Sequence, residues 1–509
     1  MRIVNELLIV LDKGLQLSLN RQIYEQIRKA ILRGSLQGGD AIPSTRMLAQ
    51  QLQVSRSVVI QAYEQLQSEG YLIMKKGAGT YIADNAVNVC QSKQISIGKD
   101  NHSELTTNAS RVTTVVNSRT GVGKDQLNSE IFDFRYGVPS WEAFPMDRWQ
   151  KVLVEACRKA TPDILGGYGP PEGSYRLRQE IARILRSSRS IPAVPDQIII
   201  TAGATQALDM ITRLFVEDGE RVIVEDPAHP VIREIFCFAG GDVVSVPVDQ
   251  EGLRVQDIEP RINAKNGDPS DVKLIYVTPS HQFPAGMTMS HQRRRELLDF
   301  ADSNNAYIIE DDYDSEYRYV GQKESALAGL DSSGRVIYVG SFSKSLFPGL
   351  RIGYAVLPPS LIKSFLAIKC ITSRMTPALE QEALAEFIAT GQYARHVNAM
   401  GKLYRSRRSC IVNTLHRYFK NRVSTYGDEA GLHLLIELNT EANEHLMAEK
   451  ALGYGVKVYP ASEYFVVSKP KTASFLLGYA NMTEYQIERG IELLAQVEQQ
   501  CTRNIKQEA

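Results

Sequence analysis

Residues 335–351 read RVIYVGSFSKSLFPGLR. The β-branched and aromatic run at 335–340 predicts a short buried strand, and the polar SFSKS after it predicts a turn at the strand's carboxyl end. Lys344 stands in that turn. Similar runs, each bounded by Gly, Pro or Asp, occur at 198–202, 221–225, 243–246, 273–278 and 306–310. Apolar residues at helical spacing lie between several of them, as at 205–215 and 291–303. Strands alternating with helices predict an α/β domain with a mostly parallel sheet. After about residue 360 the pattern turns helical, then ends in α/β segments at 431–438, 475–480 and 484–497. In open sheets of this type ligands bind beyond the carboxyl ends of the strands, which is where Lys344 falls.

An amine at that edge forms a Schiff base with an aldehyde such as pyridoxal 5′-phosphate (PLP). Ser341, Ser343 and Arg351 are suited to donate to the cofactor's phosphate. A lone lysine is ordinarily a solvated surface residue, so the neighbouring motifs decide. Residues 306–317, AYIIEDDYDSEY, place a carboxylate just past an apolar strand. PLP requires an acid facing its pyridine nitrogen to keep that nitrogen protonated. Asp311 fits that role, and Tyr313 can donate to the phenolic oxygen. A run of so many acids otherwise reads as a solvated loop. Residues 201–206, TAGATQ, join a strand to a helix and present free backbone N–H groups at the helix start, a phosphate cradle. Small-residue turns of this kind also occur for packing alone.

The whole chain has 509 residues, 43% apolar and 23% charged, with 58 Lys+Arg against 58 Asp+Glu. These fractions exclude a wholly disordered or fibrous protein. No run approaches the ~18 apolar residues of a membrane span. The apolar run 7–11 is flanked by Glu6 and Asp12, unlike a secretory signal, so a cytoplasmic protein is expected. Six cysteines lie far apart with no CxxC pair, which predicts neither a disulfide framework nor a metal site. Residues 84–130 contain no Phe, Tyr or Trp, while 17 of the 47 are Ser, Thr or Asn, and read as a flexible linker. That divides the chain into 1–83, 84–130 and 131–509, with net charges of +4, 0 and −4.

In the first part Leu19, Ile23, Ile27 and Ile31 recur every four residues and predict a helix ending near Gly34. Ser44 and Ser55 read as N-caps of two further helices. Two short strands, at 71–74 and 80–83, complete a winged helix-turn-helix. A helix entering the major groove needs short polar or basic residues at its start, and Ser55, Arg56, Ser57 and Gln61 provide them. Ser44 and Arg46 can meet the flanking phosphates, and Lys75, Lys76 and Gly77 suit a wing in the minor groove.

The run PSTRMLAQQLQVSRSVVIQAYEQLQSEGYL, with KKGAGTYIA after it, resembles the GntR family of bacterial transcription regulators over about 19–83. The resemblance implies DNA contacts from Ser44, Arg46, Ser55, Arg56, Ser57, Lys76, Gly77 and Thr80; Val58 stands where members often carry Thr. Roughly 131–500 resembles the fold-type I PLP-dependent aminotransferases, and the combination resembles the MocR/GabR subfamily. This implies Lys344 as the Schiff-base lysine, Asp311 at the pyridine nitrogen, Tyr313 at the phenolic oxygen, and Ser341, Ser343, Arg351, Ala204 and Thr205 around the phosphate. His229 stands where a Tyr usually stacks on the cofactor. Gln282 or His281 stands where an Asn usually contacts it, and Tyr168 would reach the partner's phosphate in a homodimer. The substrate-carboxylate arginine that aminotransferases carry in this region is missing: no Arg occurs between Arg422 and Arg489, and Phe475-Leu476 occupies its place. The expected function is a PLP-dependent regulator that binds double-stranded operator DNA and senses a small amine, an amino acid or PLP itself. The alternative is a working aminotransferase with a DNA-binding appendage.

Overall fold

The computed structural model describes residues 4, 7–12, 14–15, 17–75, 79–84, 131–321, 324–467 and 469–508. Nearly all of the expected linker therefore lies outside the described residues, as do Lys76 and Gly77. The chain divides into two compact units, Met1–Leu105 and Thr106–Ala509.

In the first unit, helix Leu19–Leu32 buries Ile23, Ile27 and Ile31, the stripe set by their four-residue spacing. Each such side chain contributes about 1.5–3 kcal/mol when fully removed from water. Helix Thr45–Gln51 starts at Ser44, whose Oγ accepts from the Met47 N–H at 3.2 Å. Helix Arg56–Ser68 starts at Ser55, but there the hydroxyl makes no cap and lies 2.9 Å from Ser57 Oγ. Val59, Tyr63 and Leu66 turn inward to meet the first helix. Strand Gly79–Ile82 is central in a three-stranded sheet, between Leu72–Lys75 and Ala41–Ile42. The last of these has two residues, too few to leave a period in the sequence.

The second unit is built on an eight-stranded sheet. Its spatial order is Ile198–Thr201, Gly353–Val356, Val336–Ser341, Tyr307–Asp312, Val272–Val277, Arg221–Asp226, Asp242–Asp249 and Gly252–Leu253. All six strands expected from the sequence occur, and the run from Val336–Ser341 to Asp242–Asp249 is parallel throughout. Gly353–Val356, not anticipated, runs antiparallel to both neighbours and seats Ile198–Thr201 at the sheet edge. Helices Ala204–Phe215 and His291–Ser303 form as read. Helix 204–215 buries Ala207, Leu208 and Ile211 on the apolar residues of the sheet. A smaller antiparallel sheet follows, in the order Val423–Tyr426, His433–Leu438, Ala473–Gly478 and Tyr459–Pro460, covered by helices Gln392–Phe419 and Glu484–Glu508. Among the described residues no helix is long and apolar enough to cross a membrane.

Candidate functional site

The carboxyl ends of the parallel strands open onto a cavity of about 240 Å³. Lys344, Asp311, Tyr313, Ala204, Thr205 and His229 all line it, so residues far apart in the chain meet there. Lys344 follows strand Val336–Ser341, and its Nζ donates to the Gly137 carbonyl at 2.5 Å. Gly137 has φ +68°, where a residue with a side chain is strained, and a Cβ there would stand 2.6 Å from that Nζ, so the lysine tip would have to shift. Burial pushes the Lys344 pKa down, against the raising effect of Asp314 and Asp311. A desolvated amine of this kind is closer to its neutral, nucleophilic form.

Asp311 sits in strand Tyr307–Asp312, where side chains alternate between the two faces. Glu310 and Asp312 point away from the cavity: Glu310 accepts from the Leu327 and Ala328 N–H groups, and Asp312 pairs with Arg189 and Tyr338. Asp311 alone of the three turns into it. One oxygen accepts from the Tyr276 hydroxyl at 2.7 Å; the other, Oδ1, is buried with no partner. Burial raises its pKa to about 6, while the Tyr276 hydrogen bond opposes the rise. An orphaned acceptor in a closed site asks for a donor.

At another corner, Gly203 has φ +93° and leads into helix Ala204–Phe215. A Cβ on Gly203 would meet the Arg351 guanidinium at 3.1 Å, and Arg351 Nη2 donates to the Ala202 carbonyl at 2.7 Å. Ser341 pairs across the sheet with Gly353, which packs on Gly203 and the Ala204 nitrogen. The Ser341 hydroxyl donates to Ser343 Oγ at 3.0 Å. Helix start, guanidinium and two hydroxyls thus converge on one corner, as an anion cradle requires. Ser341, Ser343 and Arg351 border this corner without lining the cavity itself.

The other expected residues make contacts within the protein or lie on its surface. Gln282 does not line the cavity, because its amide donates to the carbonyls of Pro227 at 2.7 Å and Phe283 at 2.8 Å and its carbonyl accepts from the Ala285 N–H. Its backbone neighbour Phe283 lines the cavity instead. The Tyr313 hydroxyl is not idle: it donates to the His281 carbonyl at 2.8 Å. Tyr168 lies on the surface, 78% exposed, with the Arg374 guanidinium 4.6 Å from its ring centroid. Phe475 and Leu476, in the place expected for a substrate arginine, are wholly buried in strand Ala473–Gly478.

The sequence reading missed Tyr136, Tyr276, Asp314 and His433, which also line the cavity. Tyr276 and Asp314 stood inside motifs already singled out as strand and acidic loop. Tyr136 and His433 carried no local signal. His281, Asp314 and His433 are buried with ligand atoms within 4.8 Å of one another, a group the wide spacing of 281, 314 and 433 conceals.

In the first unit Ser44, Arg46, Ser55, Arg56, Ser57, Gln61 and Lys75 are all exposed. Arg56 Nε donates to Thr45 Oγ1 at 3.3 Å, which brings the starts of the two helices together. Gln61 Oε1 accepts from Asn20 at 3.1 Å, and Lys75 Nζ lies 5.1 Å from the Tyr81 ring centroid. Thr80, paired with Ile42 and Met74 in the central strand, is buried.

The family model of bacterial regulatory proteins of the gntR family matches residues 19–82, and that of aminotransferase class I and II matches 142–494. The probable rhizopine catabolism regulatory protein MocR of Rhizobium meliloti is 35% identical over 487 residues, 96% of this chain and 95% of that protein. The HTH-type pyridoxine biosynthesis transcriptional regulator PdxR of Corynebacterium glutamicum is 34% identical over 410 residues, 81% of this chain and 82% of its own. Among solved structures, the kynurenine aminotransferase of Pyrococcus horikoshii, in complex with PMP, aligns with a TM-score of 0.67 at 28% identity over 78% of this chain and 95% of that one.

Proposed function

The chain belongs to the MocR family of helix-turn-helix transcriptional regulators, a GntR-type region joined to an aminotransferase class I and II domain, and on that premise we propose that it holds PLP at Lys344 and uses it to sense a small amine, an amino acid or PLP itself. The observation that carries this reading is Asp311: a buried carboxylate with one oxygen unpartnered, in the same cavity as a desolvated lysine. Asp311 would hold a proton on the pyridine nitrogen, and Tyr276 keeps its other oxygen in place. Ala204, Thr205, Arg351, Ser341 and Ser343 would hold the phosphate. Lys344 would hold the aldehyde carbon, with Gly137 leaving it room. Bound there, PLP supplies a carbonyl that exchanges amines and a ring that accepts electron density. His229 and Phe283, with ring centroids 5.4 Å apart, offer flat apolar walls.

Through its first unit the chain binds operator DNA, with Arg56 and its neighbours at the groove. Two copies would present two such helices to paired half-sites, as a homodimer in the cytoplasm. Exchange of an amine at Lys344 alters DNA binding only by favouring one of two states of the dimer.

The test is borohydride reduction of the full-length chain incubated with PLP, followed by peptide mass spectrometry. A visible absorbance band and a reduced pyridoxyl adduct on the peptide bearing Lys344 are expected, both absent in Lys344→Ala. A chain that takes up no PLP, or carries it on another lysine, overturns the reading.

A further inference from the structure

We infer that His433 selects the effector, and that the cavity takes a primary amine bearing a hydrogen-bond donor and no carboxylate. This inference rests on the proposed function and narrows it to a chemical class.

His433 opens strand His433–Leu438, is 1% exposed and lines the cavity, and its Nε2 is buried with no partner. The ring is fixed by its neighbours: centroids of His281 and Phe283 lie at 5.1 Å and 5.3 Å, and the backbone of Pro284 hydrogen-bonds it. A proline backbone offers only a carbonyl, so the bonded ring nitrogen carries the proton. Burial, then the charges of His281 and Lys344, hold the imidazole well below its ordinary range. Nε2 is left as a buried lone pair without a partner on a residue that lines the cavity.

His281 does not change that. Burial works against its charge, while Asp314 and the hydrogen bonds to Asp314 and the Gly427 backbone together raise its pKa. Its Nδ1 lies 3.1 Å from Asp314 Oδ2 and its Nε2 3.3 Å from the Gly427 carbonyl, so both donors are spent. Among the lining residues the one lysine or arginine is Lys344, which the cofactor would occupy, while Asp311 and Asp314 are both acids. A carboxylate entering here would meet acceptors. A hydroxyl or ammonium would instead satisfy the orphaned nitrogen, and a buried acceptor left unpaired disfavours any ligand that cannot do so.

The test uses the full-length, PLP-loaded chain titrated with three primary amines of similar length: aminopropanol, butylamine and β-alanine. The visible band reports each binding. Aminopropanol is expected to half-saturate at about tenfold lower concentration than butylamine, with β-alanine weakest. In His433→Leu the advantage of aminopropanol over butylamine disappears; His433→Gln, which keeps an acceptor, retains part of it. The comparison on the unmodified chain needs no variant to fold. Tighter binding of β-alanine than of aminopropanol overturns the inference, as does an advantage that survives in His433→Leu. Stoichiometric zinc binding lost in His433→Leu also overturns it, by assigning the lone pair to a metal. If the loaded chain shows its band and none of the amines moves it, this inference fails while sensing of an α-amino acid or of PLP itself stands.

Discussion

Asp311 and Asp312 are adjacent carboxylates of one strand, and the twofold alternation of side chains sends them to different tasks. Asp312 pairs with Arg189 and Tyr338, while Asp311 lines the cavity; each keeps one buried oxygen without a partner. The acidic cluster of residues 310–316 is therefore no solvated loop: Glu310, Asp311, Asp312 and Asp314 are all buried. Glu225, near the end of strand Arg221–Asp226 two places along the sheet, extends the pattern. Burial raises its pKa to about 7, against hydrogen bonds from Thr278 and Gln282. Because its folded pKa lies above its unfolded one, the neutral form stabilises the fold. That contribution is complete below the unfolded value and is lost as pH rises through about 7. Between about pH 4 and pH 8 the native chain should lose about 3 kcal/mol relative to Glu225→Gln, read as diverging denaturation midpoints. Midpoints that stay parallel would contradict the assignment.

At the scale of elements, legibility followed local pattern. Strands rich in Val and Ile were read because burial on both faces demands such runs, and Lys344 and Asp311 were read because they end two of them. Gly353–Val356 was not, since it starts at a glycine and breaks the alternation of strand and helix. His433 and Tyr136 were not, because a histidine at a strand start and a tyrosine in a loop look the same inside or outside a site. Gln282 was singled out because it stands where an Asn usually contacts the cofactor; its amide donates to the backbone of Pro227 and Phe283. In the first unit the start of helix Arg56–Ser68 carries the functional reading. Arg56→Ala should weaken DNA binding and lower the dependence of log affinity on log salt by about 1. An unchanged salt slope would remove Arg56 from the phosphate contacts.

At the scale of the whole molecule, a net charge of zero conceals +4 on residues 1–83 and −4 on 131–509. The basic part carries the gntR-type region and the acidic part the aminotransferase-like domain, so neutrality overall says nothing against nucleic acid. A modest +4 suits a reader that depends on two copies binding together. Coupling between the units must be reciprocal: an amine that changes DNA affinity has its own affinity changed by DNA by the same factor. The most direct test measures the affinity of the PLP-loaded full-length chain for a duplex selected from a random pool, with and without saturating aminopropanol. The account predicts a shift of at least about fivefold in the native chain and none in Lys344→Ala. No shift in the native chain, or an equal shift in Lys344→Ala, would contradict it.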